Sequence, residues 1–137
     1  MPVIRDTDRR RTETPNGVMT TVASPTQGGT AALAVWHVDM HPGATGPRHL
    51  FDAEQVWTFL TGAASVELGG ETLTAGPGDT LLLPADVERQ ITAGPDGFTA
   101  VAACPAGALV YNPPGVAGEP CDIAPKHDER IIAPWTR

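Results

Sequence analysis

The sequence is poor in cysteine and has no long apolar segment. It has two cysteines among 137 residues, which are most simply free thiols in a reducing compartment. No run of about 18 apolar residues occurs, so no membrane-spanning helix is predicted. The first residues, M-P-V-I-R-D-T-D-R-R-R, contain no apolar stretch of signal-peptide length. These absences predict a soluble cytoplasmic protein without a membrane partner.

Basic residues are scarce as well. The chain has 9 Lys and Arg against 16 Asp and Glu, for a net charge of -7. Such an acidic surface repels phosphate backbones, so no nucleic-acid partner is expected. Within residues 16–112 the only basic residues are Arg48 and Arg89, and an isolated arginine in an acidic domain is a candidate anion site. A surface ion pair with Glu88 or Asp86 is the alternative, and for Arg48 both remain open.

Aromatic residues make up 5% of the chain, and no window carries the i, i+3, i+4, i+7 apolar stripe of an amphipathic helix. By contrast, 15 glycines and 14 prolines fall mostly between short apolar segments. This spacing is typical of an all-β sandwich or barrel. The predicted strands are 18–23, 31–41, 55–61, 64–68, 71–73, 80–83, 87–92, 98–104 and 108–111.

Residues 31–41 alternate between apolar and polar side chains, which predicts the buried face of that strand. The apolar set, expected to face the interior, is Trp36, Val38 and Met40. The opposite set, expected to be exposed or at a subunit contact, is His37, Asp39 and His41.

The chain divides into three parts. We expect an N-terminal arm at 1–15, a β-barrel at 16–112 and an irregular tail at 113–137. The tail carries apolar side chains that need cover in a soluble protein, so it is expected to pack on the outside of the barrel or on a partner subunit. These side chains are Ile131, Ile132 and Trp135.

Two segments share a spacing that points to one family. Residues 43–62 read G-A-T-G-P-R-H-L-F-D-A-E-Q-V-W-T-F-L-T-G, and residues 78–89 read G-D-T-L-L-L-P-A-D-V-E-R. Their Gly, Asp and Pro positions resemble the two-part signature of the cupin superfamily. The resemblance covers residues 18–112 and implies a double-stranded β-helix, the jelly-roll barrel, commonly assembled as a homodimer.

The resemblance also implies a metal site, which this sequence does not keep. In metal-binding cupins three histidines and one glutamate converge on a cation inside the barrel. The matching positions here are His49, Phe51, Gln55 and Arg89. A phenyl ring donates nothing, an amide oxygen is a poor ligand for a transition metal, and a guanidinium repels a cation. We therefore predict no metal and no other cofactor.

Metal binding through non-standard ligands remains an alternative. A shift of one residue would put Glu54 at the acid position, although this breaks the spacing to Gly62. Cys104 ends an apolar strand and is better explained as a small core residue. The other side chains that could act as ligands are His37, His41 and Asp52.

Arg89 is predicted to replace the metal as the fixed positive charge. It would bind a carboxylate or phosphate, or stabilise an enolate-like oxygen, while His49, whose ordinary pKa is near 6.5, moves a proton beside it. Its charge would be balanced by Glu54, by Asp52 or by the ligand. The predicted substrate-binding residues are Phe51, Gln55, Trp57, Phe59, Glu54 and Tyr111.

A simpler interpretation stands beside this one. In it Arg89 points outward, Glu88 or Gln90 takes the inward place, and the aromatic residues are plain core. Three classes of function follow. The favoured one is a metal-independent isomerase, cyclase or dehydratase that uses acid–base chemistry on a carbonyl- or carboxylate-bearing metabolite, aromatic or polyketide-like. The others are a non-catalytic cupin that binds a small molecule and a metal-dependent cupin with altered ligands.

Overall fold

The computed structural model describes residues 3–137, which are β-strands joined by turns and loops. No helical segment of this range is long and apolar enough to cross a bilayer. A short 3₁₀ turn spans Asp6–Asp8. The strands are β1 (Arg10–Thr14), β2 (Gly17–Ala23), β3 (Leu33–Met40), β4 (Leu50–Phe51), β5 (Gln55–Leu68), β6 (Glu71–Ala75), β7 (Thr80–Leu83), β8 (Arg89–Pro105), β9 (Leu109–Tyr111) and β10 (Arg130–Ile132).

The strands form two antiparallel sheets, in agreement with the predicted all-β jelly roll. The larger sheet has the order β1-β2-β3-β8-β5-β6, with β7 beside β5, and the smaller has the order β10-β9-β4. Isolated bridges from Thr45 to Thr92 and from His49 to Arg89 connect the segment before β4 to β8. The segment predicted as an N-terminal arm contains β1, which is an edge strand of the larger sheet.

Strands β5 and β8 are each continuous, although the sequence predicts two strands in each place. Register shifts interrupt their pairing on both sides of Gly62. Gly62 and Gly97 both have a φ of 73°, which glycine adopts without steric cost. A Cβ on Gly62 would collide with the carbonyl oxygen of Gly97. The glycines that were interpreted as turns instead let two long strands bend while still paired.

Small side chains on β8 leave room in the interior. Ala102 is paired with Trp36 of β3 on one side and with Trp57 of β5 on the other. The two indole rings meet edge to face at 6.5 Å between centroids. Trp36, Val38 and Met40 are buried as predicted. The small alanine between the two tryptophans lets their rings meet, and both rings belong to residues that line an interior cavity.

The C-terminal tail lies over the cavity. It was predicted to pack on the outside of the barrel or on a partner, but Ile123 and Trp135 line the cavity wall. Strand β10 adds to β9, and barrel side chains hold the tail backbone. Thr21 Oγ1 donates to the carbonyl of Trp135 at 2.7 Å, and Asn112 Nδ2 donates to that of Pro125 at 2.9 Å. These long-range bonds have no local signal in the sequence.

Candidate functional site

The barrel interior contains a cavity that is partly open to solvent. Its volume is about 120 Å³, and most of its wall is apolar. The aromatic residues of the wall are Trp36, Phe51, Trp57 and Trp135. The polar side chains from the barrel include His49, Gln55 and Arg89. An apolar wall with a few convergent polar groups is the usual construction of a small-molecule site.

The two sequence motifs meet at the bridge between His49 and Arg89. The backbone N–H of His49 donates to Arg89 O at 3.1 Å, and that of Arg89 donates to His49 O at 3.0 Å. Directly paired residues place their side chains on the same face, and both of these side chains border the cavity. Arg89 is only 4% exposed, so the interpretation in which it points to solvent does not hold.

Gln55 holds the Arg89 guanidinium in place. Its Oε1 accepts from Arg89 Nη1 at 3.3 Å and from Trp57 Nε1 at 3.0 Å. The Phe51 ring centroid lies 4.8 Å from Arg89 Cζ, a cation–π contact that favours the charged form. Because two donors already use the Gln55 oxygen, the amide nitrogen Nε2 is the end that a ligand can bind.

Four donor nitrogens at this cavity are buried without an acceptor in residues 3–137. They are Arg89 Nε, Arg89 Nη2, Gln55 Nε2 and Trp36 Nε1. Within residues 3–137 no buried side-chain oxygen lacks a hydrogen-bond partner. Each unpaired buried donor costs roughly 1–3 kcal/mol. A ligand that brings acceptor oxygens removes this cost, and the guanidinium favours a negatively charged one.

The cavity wall contains one buried cationic side chain. Burial lowers the pKa of Arg89 to about 10, so the guanidinium stays protonated at pH 7. Among the described residues no carboxylate lies within 4.0 Å of it, and Glu119, which borders the cavity, makes no ion pair with it. The Arg89 charge therefore has no counter-charge at ion-pair distance among the described residues.

His49 is neutral in this environment. Burial, and secondly the nearby Arg89 charge, lower the pKa of His49 to about 4. At pH 7 its unprotonated ring nitrogen is available to accept a proton. The ring also packs edge to face against Phe51, at 6.2 Å between centroids, which fixes its position in the wall.

Three predicted substrate-binding residues do not border the cavity. Glu54 is exposed. Phe59 is fully buried deeper in the core, 4.9 Å from the ring centroid of Phe98. Tyr111 lies at the surface, where its hydroxyl donates to Asp86 Oδ1 at 2.6 Å. Alternation along β5 predicts the inward face correctly, but it does not predict how deep on that face the cavity ends.

The charged residues considered as alternatives also lie elsewhere. Arg48 pairs at the surface with Glu67 at 2.6 Å and with Glu88 at 3.2 Å, so its open assignment is resolved as a surface ion pair. Asp52 Oδ1 accepts from the backbone N–H of Leu109 at 2.7 Å, which uses it to hold a loop rather than to balance Arg89.

Several residues that line the cavity were not predicted from the sequence as site residues. Trp36 was assigned to plain core, and the tail residues Ile123 and Trp135 were not placed at the site. The available signal for Trp36 was its indole N–H on the buried face of β3, where the neighbouring Val38 and Met40 side chains offer no oxygen or nitrogen acceptor. The tail residues reach the site through the pairing of β10 with β9, which no local pattern indicates.

The positions that hold a metal in cupins do not fit a divalent cation here. Gln55 Oε1 is occupied by two N–H donors, and Arg89 adds a positive charge beside it. Phe51 has no donor atom, which leaves His49 alone. Throughout residues 3–137 no three His, Cys, Asp or Glu side chains are grouped so that they could hold a metal ion.

The comparison with protein families gives a direct match. The model of the family described as "Cupin domain" matches residues 36–102, a span that contains both motifs and the paired core of β3, β8 and β5. No curated protein matches the chain.

Solved structures show a similar fold. KdgF from Halomonas sp. has a TM-score of 0.65 at 21% identity, over 77% of this chain and 93% of that one. An RmlC-like cupin from Shewanella frigidimarina has a TM-score of 0.66 at 15% identity, over 77% and 90%. The polyketide cyclase RemF from Streptomyces resistomycificus has a TM-score of 0.69 at 19% identity, over 82% and 84%. At these identities the similarity concerns the fold alone. With both motifs inside the matched span and the jelly roll that they predict, residues 36–102 are a cupin domain.

Proposed function

We propose that this cupin is a metal-independent enzyme that catalyses proton transfer on a small carbonyl- or carboxylate-bearing metabolite. The observation that carries the proposal is the set of unpaired N–H donors around the buried Arg89 guanidinium. Preorganised donors of this kind stabilise an oxygen that becomes negative during reaction. Isomerisation, cyclisation and dehydration of carbonyl compounds all begin by forming such an oxygen.

Each side chain has a defined task in this proposal. His49 accepts a proton from the carbon next to the carbonyl, and the electron pair of that C–H bond moves to the carbonyl oxygen. Arg89 and the Gln55 amide nitrogen bind the resulting enolate oxygen. The protonated His49 then returns the proton to another atom, which gives an isomer. If the enolate carbon attacks a second carbonyl, His49 protonates the new alkoxide and a ring is closed; if a hydroxyl leaves from the next carbon, His49 protonates it to water and the result is dehydration.

The low pKa of His49 describes the site before an anion binds. The Arg89 charge is one of the two causes that lower it. An anionic ligand offsets that charge, which is the smaller cause, so it raises the pKa of His49 part of the way, while burial, the larger cause, continues to lower it. Binding therefore makes His49 a stronger base at the moment when a base is needed.

The apolar wall supports a substrate with a ring or a branched carbon body. Phe51 and Trp57 border the cavity beside the polar groups, and aromatic side chains suit the flat face of an aromatic or polyketide-like compound. RemF, which shares the fold, is a polyketide cyclase. Because that similarity concerns the fold alone, the cavity and its donors remain the basis of the proposal.

Hydrogen exchange on a defined probe tests the proposal. Phenylpyruvate combines a ring, a carboxylate and an enolisable carbon, and proton NMR in D2O follows exchange at that carbon. We expect the protein to accelerate exchange above the buffer rate, His49→Gln to lose the acceleration while still binding, and Arg89→Met to lose binding. Arg48→Met is the matched control, because Arg48 lies in a surface ion pair. Equal exchange with His49→Gln and the unaltered protein would contradict the assignment of the base.

A non-catalytic binding protein is the second candidate, and the weak basicity of unliganded His49 favours it. It predicts binding of phenylpyruvate without accelerated exchange. A metal-dependent enzyme with altered ligands is distinguished by elemental analysis of untagged protein. Stoichiometric iron, zinc, nickel or manganese would overturn the metal-independent mechanism.

The proposal includes a homodimer in the cytoplasm. The cupin resemblance implies paired subunits, and the two free cysteines, Cys104 and Cys121, fit a reducing compartment. Light scattering on the purified protein measures the assembly, and a monomer mass across the micromolar range would contradict the dimer.

A further inference from the structure

We propose that Trp36 is a ligand-binding residue, whose indole N–H completes a four-donor cradle for a carboxylate carried on a body about one ring in size. This inference rests on the proposed function, because it concerns the same cavity, and it specifies the class of substrate.

Trp36 stands at the centre of the larger sheet. It lies on β3 between Thr21 of β2 and Ala102 of β8 and is 1% exposed. Its ring borders the cavity, and its Nε1 has no acceptor anywhere in the described part of the chain. A buried tryptophan usually finds a partner for this group, so the missing partner requires an explanation.

Trp57 provides the internal comparison. The two tryptophans are in contact and share the same wall. The N–H of Trp57 donates to Gln55 Oε1 at 3.0 Å. The fold therefore provides an acceptor for the indole N–H of Trp57 but none for that of Trp36. The unpaired donor of Trp36 thus joins those of Gln55 and Arg89 at one cavity, linked through the contacts from Trp57 to Gln55 and from Gln55 to Arg89.

The number and kind of donors indicate the ligand group. Four buried, unpaired donor nitrogens belong to three side chains that line this cavity, and an ionised carboxylate offers two oxygens with about four lone-pair positions and no donor. The planar guanidinium of Arg89 matches a planar carboxylate in two parallel bonds. An alcohol or an amide would use fewer of these donors, and an amide would bring N–H groups for which the cluster has no free acceptor.

The size of the cavity limits the rest of the ligand. A cavity of about 150 Å³ holds benzene, and the one in this barrel has about 120 Å³. Because the enclosed space is smaller than that, the ring of a bound benzoate must lie partly in the open part of the cavity, and a larger body would lie mostly outside it. Benzoate therefore matches the donors and is near the upper limit of size, and phenylphosphonate is the tetrahedral comparison with the same ring.

The experiment compares Trp36→Phe with the matched control Trp57→Phe by calorimetric titration of benzoate, benzyl alcohol and phenylphosphonate. Trp36→Phe keeps a ring but removes the donor. We expect it to raise the Kd of benzoate about tenfold, the size of one hydrogen bond to a charged acceptor, and to leave the Kd of benzyl alcohol nearly unchanged. In the unliganded state Trp57→Phe should lose more thermal stability than Trp36→Phe, since only Trp57 gives up an existing hydrogen bond.

Several results would overturn the inference. One is an equal loss of affinity for benzoate and benzyl alcohol in Trp36→Phe, which indicates a packing role alone. Others are unchanged benzoate affinity in Trp36→Phe, or tighter binding of phenylphosphonate than of benzoate by the unaltered protein. If Trp36→Phe does not fold, the indole N–H resonance of Trp36 in the unaltered protein decides, because benzoate must shift it downfield.

These outcomes are distinguishable from a failure of the proposed function. Loss of benzoate binding in Arg89→Met together with unchanged binding in Trp36→Phe refutes the role of Trp36 and leaves the Arg89 site standing. Full benzoate binding by Arg89→Met refutes the site itself.

Discussion

Replacing Arg89 by methionine should stabilise the unliganded protein while abolishing anion binding. The change removes two buried donors without acceptors, Arg89 Nε and Nη2, at roughly 1–3 kcal/mol each. It also removes a buried charge without a carboxylate partner, at a desolvation cost of several kcal/mol. Methionine fills much of the same volume with apolar, flexible atoms.

Arg89→Met also removes two favourable contacts, and their loss costs less free energy than the substitution gains. The bond from Arg89 Nη1 to Gln55 disappears, which costs about 1–3 kcal/mol for a charged donor. The contact with the Phe51 ring disappears as well, at about 1 kcal/mol. With central values the gains exceed the losses by several kcal/mol, which is a rise of about 10 °C or more in Tm for a domain of this size.

Thermal unfolding with and without benzoate tests this reasoning. Benzoate should raise the Tm of the unaltered protein by mass action and leave that of Arg89→Met unchanged. Arg48→Met, at an exposed ion pair, should match the unaltered protein in both conditions. A Tm of Arg89→Met well below that of the unaltered protein would show that Arg89 is a structural group with satisfied partners, and the anion-site argument would fail.

Three further predictions concern pH, the tail and the backbone. The pKa of His49 is lowered from 6.5 to about 4 in the folded protein. Between these pH values the unfolded state binds a proton that the folded state does not, so the free energy of unfolding falls as the pH drops from 6.5 to 4. The loss is at most about 3 kcal/mol. Urea titrations should show a flatter pH dependence for His49→Gln, and an unchanged slope would refute the burial of this imidazole. Lys126→Met removes bonds from Nζ to three tail carbonyls and should speed proteolysis of the tail while the barrel stays intact; equal cleavage would contradict that role. Gly62→Ala should destabilise more than Gly70→Ala, because both have positive φ but only Gly62 faces a backbone atom; equal Tm losses would contradict this account.

The fold was largely predictable because its signals are local. Glycine and proline positions divide the chain into short strands, and the alternation in residues 31–41 predicted that Trp36, Val38 and Met40 are buried. The errors arose where a local signal has two structural outcomes. Gly62 and Gly97 mark a turn in isolation, but here they bend continuous paired strands.

Part of the site was predictable from motif positions. His49, Phe51, Gln55, Trp57 and Arg89 all border the cavity, because the two motifs lie on segments that pair with each other. Other site predictions failed for reasons of position. Glu54, Phe59 and Tyr111 are of the right chemical types, but exposure, depth in the core and a surface bond to Asp86 keep them away from the cavity.

By itself, the sequence determined the jelly-roll class and the loss of a standard metal set, because turn residues and motif spacing act over short distances along the chain. Only the tertiary structure decided that the guanidinium faces inward, that Gln55 Oε1 is already occupied and that the Trp36 N–H is unpaired. Whether a donor has an acceptor depends on atoms brought together from distant strands, and no pattern of residue types records that pairing.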